Sequence, residues 1–189
     1  MASPRWIAPG GLEAVRLFVN TRDIEASADA LSSLPDLQAW FLGAGLLAVG
    51  DAVTPADLHH AVALREALRA ALTAQHSQEP VPANALSVLN AAVDRAGLSP
   101  SFTADSTCTV RPRAGGADGA LGALVAHVVS AMADGSWGRL KVCANDTCQW
   151  AFYDYSRARV GKWCSMQICG NRAKQQAWRA RHDVKDLLD

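Results

Sequence analysis

The chain has 189 residues, half of them apolar and about a fifth charged, with 18 basic and 18 acidic side chains. This is the make-up of ordinary soluble globular proteins, and the length suits one domain or a domain plus a small module. The longest strongly apolar run, residues 39–50, falls well short of the roughly 20 residues that span a bilayer. The opening MASPRWIAPG lacks the apolar core of a secretory signal. These features predict a cytoplasmic protein with no membrane partner, where thiols stay reduced and clustered cysteines more often hold metal than form disulfides.

In chain order, GLEAVRLFVNTRD reads as a helix with Leu12, Val15, Leu17, Phe18 and Val19 on a broad apolar face. PDLQAWFLGAGLL predicts a short helix with Leu37, Trp40 and Phe41 inward, stopped near Gly43 or Gly45. The clearest helix is TPADLHHAVALREALRAALTAQ. Thr54 is placed to cap it, Pro55 fits the first turn, Asp57 completes a capping box, and Leu58, Val62, Leu64 or Arg65, Leu68 and Leu72 recur near the helical period. A further helix covers Ala83 to Arg95 and ends at Gly97, and SFTAD with CTVRPR has the alternation of a short hairpin. DGALGALVAHVVSAMADG is apolar nearly all round, as a buried helix is.

At ADGSWG, residues 133–138, the character of the chain changes, and the glycines and serine suit a linker. Residues 1–138 carry 8 basic and 13 acidic side chains, residues 139–189 carry 10 and 5. The expected division is a helical domain over 1–136 with its own core and a small basic module over 137–189. About 50 residues bury too little apolar surface to fold without a staple. Four of the five cysteines supply one: Cys143, Cys148, Cys164 and Cys169 form two C-x4-C pairs separated by fifteen residues. The spacing predicts one structural zinc ion in a tetrahedral four-thiolate site with no open position for catalysis. The first pair would follow a strand, RLKV, and the second would stand at a helix entrance, where the positive end of the helix dipole favours thiolates. Four reduced cysteines filling a core is the alternative.

In that last helix Met166, Cys169, Ala173, Ala177 and Ala180 fall within one arc of roughly 80°, a stripe able to lie against the metal hairpin. Around it the chain carries Arg157, Arg159, Lys162, Arg172, Lys174, Gln175, Arg179 and Arg181. Arg and Gln are the side chains that read guanine and adenine in a major groove, so these eight are the expected DNA contacts; a solvated basic face is the bland alternative. Arg172 could instead pair with Asp146 or Asp154, and Asn171 could bond the backbone or a cysteine sulfur.

WCSMQICGNRAKQQ, with the upstream LKVCANDTCQWAFYDYS, resembles the CGNR zinc-finger family, whose naming motif is present as Cys169, Gly170, Asn171 and Arg172. The similarity covers about residues 139–182. LFVNTRD, the DL-x-x-W segment at Asp36 to Trp40, and LREAL resemble the ABATE domain that accompanies this finger. The resemblance implies a mainly α fold, with a short β-hairpin in the N-terminal domain and a small treble-clef-like finger of hairpin plus helix. It also implies a bacterial, stress-responsive transcription regulator whose finger binds DNA and whose first domain senses a small-molecule effector.

Asn20, Thr21, Arg22, Trp40 and Arg65 are the candidate effector contacts, although Asn20 and Thr21 could equally cap a helix and Arg22 could pair with Glu66. His59, His60, His76 and His127 lack metal-ligand spacing, and Cys108 stands in no motif. No nucleophile–base pair, phosphate loop or cofactor motif is present, so an enzyme is not expected. A zinc-stabilised protein-interaction module is the second reading, and a homodimer is one assembly left open.

Overall fold

The computed structural model describes residues 7–186, with side chains in the last helix as far as Ala180. Six α-helices, α1 (Leu12–Val19), α2 (Leu34–Gly43), α3 (Pro55–Ser77), α4 (Ala83–Ala96), α5 (Gly116–Ala133) and α6 (Asn171–Asp186), alternate with three two-stranded antiparallel hairpins. The hairpins are β1 (Arg22–Asp23) with β2 (Ala28–Asp29), β3 (Ser99–Phe102) with β4 (Cys108–Arg111), and β5 (Leu140–Val142) with β6 (Ala151–Tyr153).

Local signals set most helix ends. Ser33 caps α2 through the Asp36 amide. Thr54 and Asp57 cap α3 reciprocally, with Pro55 in its first turn. α4 ends where Gly97 takes the left-handed conformation at φ 56°. α1 stops earlier than expected, at Val19, and the residues beyond turn into the β1–β2 hairpin. Two groups take its last carbonyls: the Thr21 hydroxyl bonds Phe18 O at 2.7 Å and the Arg69 guanidinium bonds Val19 O at 2.7 Å. Leu17 is 47% exposed, a correction to the expected apolar face. At 100° per residue it stands across the helix from Leu12, Val15 and Val19.

One hydrophobic core joins α1, α2, α3, α4 and α5, and α5 lies at its centre with Ala120, Leu121, Leu124 and Val125 buried. Gly122 allows the close approach of α4, since a Cβ there would meet that of Ala96 at 2.3 Å. By length and composition α5 is apolar enough to cross a membrane, yet half of it is buried inside the protein. It serves as the core helix.

The same core takes in Trp137, Leu140, Val142, Ala151 and Tyr153. The expected linker is therefore a packed connection: Trp137, in a 3-10 turn, is only 8% exposed, and β5 follows at once against α3. The stripe Ala173, Ala177 and Ala180 does not lie on the hairpin. Ala173 is half-buried, whereas Arg172 and every described residue from Lys174 to Ala180 is exposed, so α6 extends away from the body.

Candidate metal centre and basic surface

The metal centre grows out of the β5–β6 hairpin. Both strands are buried throughout. At the end where the chain joins them Cys143 N bonds Trp150 O at 2.9 Å, and the chain between forms a knuckle in which Cys148 N and Gln149 N both reach Asn145 O. Gln149 takes a left-handed φ of 47° to close it. The second pair frames a single π-helical turn, Met166–Gly170, capped by Ser165, whose hydroxyl accepts from Ile168 N. Gly170 matters for packing more than for access to metal, because a Cβ there would meet Met166 Sδ at 2.9 Å and Trp163 Cδ1 at 3.3 Å.

The four sulfurs all lie within 4.8 Å of one another, and Cys148–Cys164 and Cys164–Cys169 are each 3.7 Å apart. Zinc–sulfur bonds of about 2.3 Å give a tetrahedral edge of about 3.8 Å. The sulfurs are thus at the vertices that one ion requires, and none is in a disulfide. Their mutual chemistry says the same. The thiols of Cys148 and Cys164 donating to its sulfur hold Cys143 below the usual thiol range, helped by amides of Cys164 and Asn145. The same contact with Cys143 pushes Cys148 and Cys164 up. One thiolate suppresses the next until a cation offsets the repulsion. These four residues form a structural zinc site, closed in by Trp150 and Trp163. A second grouping, Asp57, His60 and Asp118, is also compact. It offers only three ligands, and its carboxylates already serve Thr54 and Arg95.

Asn145 was missed by the sequence reading. Its Oδ1 accepts from the Thr147 amide and hydroxyl, and its Nδ2 approaches Cys169 Sγ at 3.9 Å, tying the knuckle to the second pair. Asn171, expected to bond the backbone or a cysteine sulfur, takes the backbone: its Nδ2 donates to Gln167 O at 3.0 Å.

Beyond β6 a buried ion pair shapes the loop that carries Arg157 and Arg159. Lys141 Nζ meets Asp154 Oδ2 at 2.9 Å, with side chains only 8% and 5% exposed, and also bonds the carbonyls of Arg159 and Gly161. Asp154 closes the same loop by accepting from the amides of Ser156 and Gly161. Burial alone would raise the Asp154 carboxyl; the bonds from Ser156, Lys141 and Gly161 outweigh it and hold the group well below the carboxylate range. Arg157, Arg159 and Lys162 are exposed around this loop, and Lys174, Gln175 and Arg179 are exposed on α6. The side chain of Arg181 lies outside the described residues. Arg172 pairs with neither Asp146 nor Asp154. It reaches Glu25 at 2.7 Å, in the turn between β1 and β2, and Glu25, then Cys169 and Cys148, hold it in its charged form.

The five candidate effector contacts are placed around the joint between the two parts, each against protein. Asn20 donates to Ala151 O at 2.9 Å and accepts from Ala151 N at 2.7 Å, acting as a stub of extra strand on the free edge of β6. Thr21 accepts from Arg65, which grips Asp29 with two nitrogens at 2.6 and 2.9 Å and also bonds Glu66. Burial would raise the Asp29 carboxyl, but bonds from Arg65, the Leu31 amide and Arg22 bring it down to about 2. Arg22 pairs with Asp29 and not with Glu66, and Trp40 meets Phe18 at a tilt and Phe41 edge-on. Arg69, one helical turn after Arg65, was overlooked. It bridges Val19 O to Gln149 O at 2.7 and 2.9 Å and so pins the knuckle to α1. The Arg-x3-Arg spacing among buried leucines was the available signal.

Comparison with known families places both halves. The ABATE family model, described as "Putative stress-induced transcription regulator", matches residues 14–135, and the CGNR zinc finger model matches residues 139–182. No curated protein matches the chain.

Proposed function

Because the chain belongs to the ABATE family and ends in a CGNR zinc finger, we propose that it is a cytoplasmic, DNA-binding transcription regulator of bacterial stress responses. Zinc fixes the foot of α6, and α6 enters the major groove. The observation that carries this reading is α6 itself: Arg172 and every described residue from Lys174 to Ala180 are exposed on a charged helix rooted in the metal centre. Lys174, Gln175, Arg179 and Arg181 face the groove, and Arg157, Arg159 and Lys162 meet the backbone. Arg172 joins them once it leaves Glu25. The ABATE domain is the sensor. Asn20 and Arg69 link it to the finger directly, and Arg65 holds Thr21 beside Asn20, so an effector that displaces these bonds is felt at β6.

The deciding experiment titrates zinc-loaded full-length protein against a pool of random duplexes at several salt concentrations. With about five phosphates neutralised, log K should fall against log salt with a slope of roughly −4 to −5. If no duplex is bound even at low salt, the reading fails. One observation favours a protein partner in that event: Tyr155, Val160, Met166 and Ile168 are large apolar side chains exposed on the finger.

A further inference from the structure

Most buried or half-buried basic side chains of this protein have a carboxylate beside them, as Arg16, Arg65, Arg69, Arg95 and Lys141 do. One cleft breaks that pattern. It has a volume of about 270 Å³ and lies where the end of α3 meets the loop after β6. Gln75, His76, Lys141, Arg159 and Lys162 line it, and no carboxylate does. The Lys141 ammonium is neutralised from beneath by Asp154. Arg159 and Lys162 have no ion pair or side-chain hydrogen bond among the described residues. We propose that this cleft binds a small phosphate-type anion, inorganic phosphate or a compact phosphate monoester, which competes with the DNA backbone for Arg159 and Lys162.

Several features pre-form the cleft. Arg159 sits at a left-handed φ of 54°, fixed by its carbonyl's bond to Lys141. Lys162 is held by its own carbonyl, which accepts from Ala144 N at 2.9 Å. Gln75 is anchored through Nε2 to the carbonyls of Trp137 and Leu140. The carbonyl end of α3 opposes an anion, but the Ala74 and Gln75 carbonyls are already taken by the amides of Glu79 and Gln78. The charged side chains that line the cleft are all cationic. Burial first, then Lys141 and Lys162, push the His76 imidazole below its ordinary value, against the opposing pull of Cys143. The volume is below the roughly 300–1,000 Å³ of drug-sized ligand clefts, which suits a compact anion.

The lining comes from both parts of the chain: Gln75 and His76 from α3, Lys141, Arg159 and Lys162 from the finger. An anion there would neutralise two of the eight side chains offered to DNA. Resting on the DNA reading, bound phosphate should weaken duplex binding by roughly tenfold per lost contact near 0.1 M salt.

The test titrates inorganic phosphate into zinc-loaded full-length protein in phosphate-free buffer, by calorimetry and phosphorus NMR, for the parent and for Arg159→Gln, Lys162→Gln and Arg111→Gln. The last removes an exposed charge outside the cleft. Retained zinc content confirms that each variant is folded. Saturable binding of one phosphate per chain, weakened about tenfold or more by Arg159→Gln and Lys162→Gln and unchanged by Arg111→Gln, is the expected result. Non-saturable binding, or equal loss in all three variants, overturns the site as a diffuse charge effect. A chain that ignores phosphate but loses duplex affinity in Lys162→Gln also overturns it, since the cleft then serves the DNA backbone. Phosphate binding without any DNA binding would sink the regulator reading and leave the anion site standing.

Discussion

Cys143 and Cys148 belong to a hairpin whose strands are buried in the main core and bonded to Asn20 and Arg69. Cys164 and Cys169 stand at the foot of a helix whose described side chains from Lys174 to Ala180 are exposed. One zinc ion joins an arm rooted in the ABATE domain to an arm tied to the rest of the protein through the Arg172–Glu25 pair, the Ala144–Lys162 backbone bond and the Asn145–Cys169 contact. The family models part the chain between residues 135 and 139, and the hydrophobic core continues across that segment into the β5–β6 hairpin. The first half of the finger is a piece of the ABATE core, and the second half is a lever attached to it.

The sharpest way to break this comparison is to cut the chain at residue 136. That removes Trp137, Leu140, Val142 and Tyr153 from the core, and each large side chain contributes about 1.5–3 kcal/mol. The loss of roughly 6 kcal/mol or more approaches the whole stability of a typical domain, 5–15 kcal/mol. The expected outcome is a fragment that aggregates or melts far below the full chain. A soluble, cooperatively folded fragment 1–136 would restore the boundary expected from sequence.

Zinc removal sharpens the same point. Binding contributes on the order of 10 kcal/mol to isolated zinc modules, and here its effect should be confined to one arm. After chelation, hydrogen exchange should show loss of protection from Cys164 through α6, with β5 and β6 still protected. Uniform loss from residue 139 onward would mean that the hairpin depends on the metal too.

Helix caps and periodicity were legible in the sequence because they are local: Thr54 with Asp57, Gly97, and the leucines of α3 act within a few residues of themselves. The zinc ligands were legible because thiol spacing has few other uses. The joint was not, since it is built from long-range pairs. Asn20 and Ala151 are 131 positions apart, and Arg69 and Gln149 are 80. Polar residues at a helix end look alike whether they face a ligand or a neighbouring strand. The same limit placed Arg172 beside Asp146 or Asp154, when its partner lies in a hairpin that the pattern of residues 20–29 does not announce. Gly135 and Gly138 suggested a linker, and Trp137 between them is buried in the core.

A smaller effect is expected from Asp154→Asn, which leaves the Lys141 ammonium buried without its counter-charge. Removing one partner of such a pair costs about 3–5 kcal/mol, and a lowered unfolding midpoint in urea would register it. The parent protein carries the same dependence in its pH profile. The folded Asp154 carboxyl lies below its unfolded value, so its contribution is complete above about pH 4 and is lost as the pH falls through the folded value. Asp29, at about 2, adds to the same acid limb. The variant should therefore lose stability at neutral pH and show a shallower decline in acid. An unchanged acid limb would remove Asp154 from this role.

The smallest stability effect and the most specific functional one should come from Glu25→Gln. Arg172 and Glu25 are 46% and 47% exposed, and exposed pairs contribute little to folding, so the unfolding midpoint should stay put. What changes is the availability of Arg172. In the parent, a DNA phosphate must compete with Glu25 for the guanidinium, and the carboxylate also repels the duplex. Without it one more cation is free, and the salt slope of duplex binding should steepen by about 0.9, with affinity rising up to roughly tenfold near 0.1 M salt. Arg172→Gln in the same background should cancel the gain, because the two changes act on a single contact. If Glu25→Gln instead raises affinity equally with Arg172 absent, the carboxylate acts only through long-range repulsion. The lever would then be set by zinc alone, without a latch from the ABATE domain.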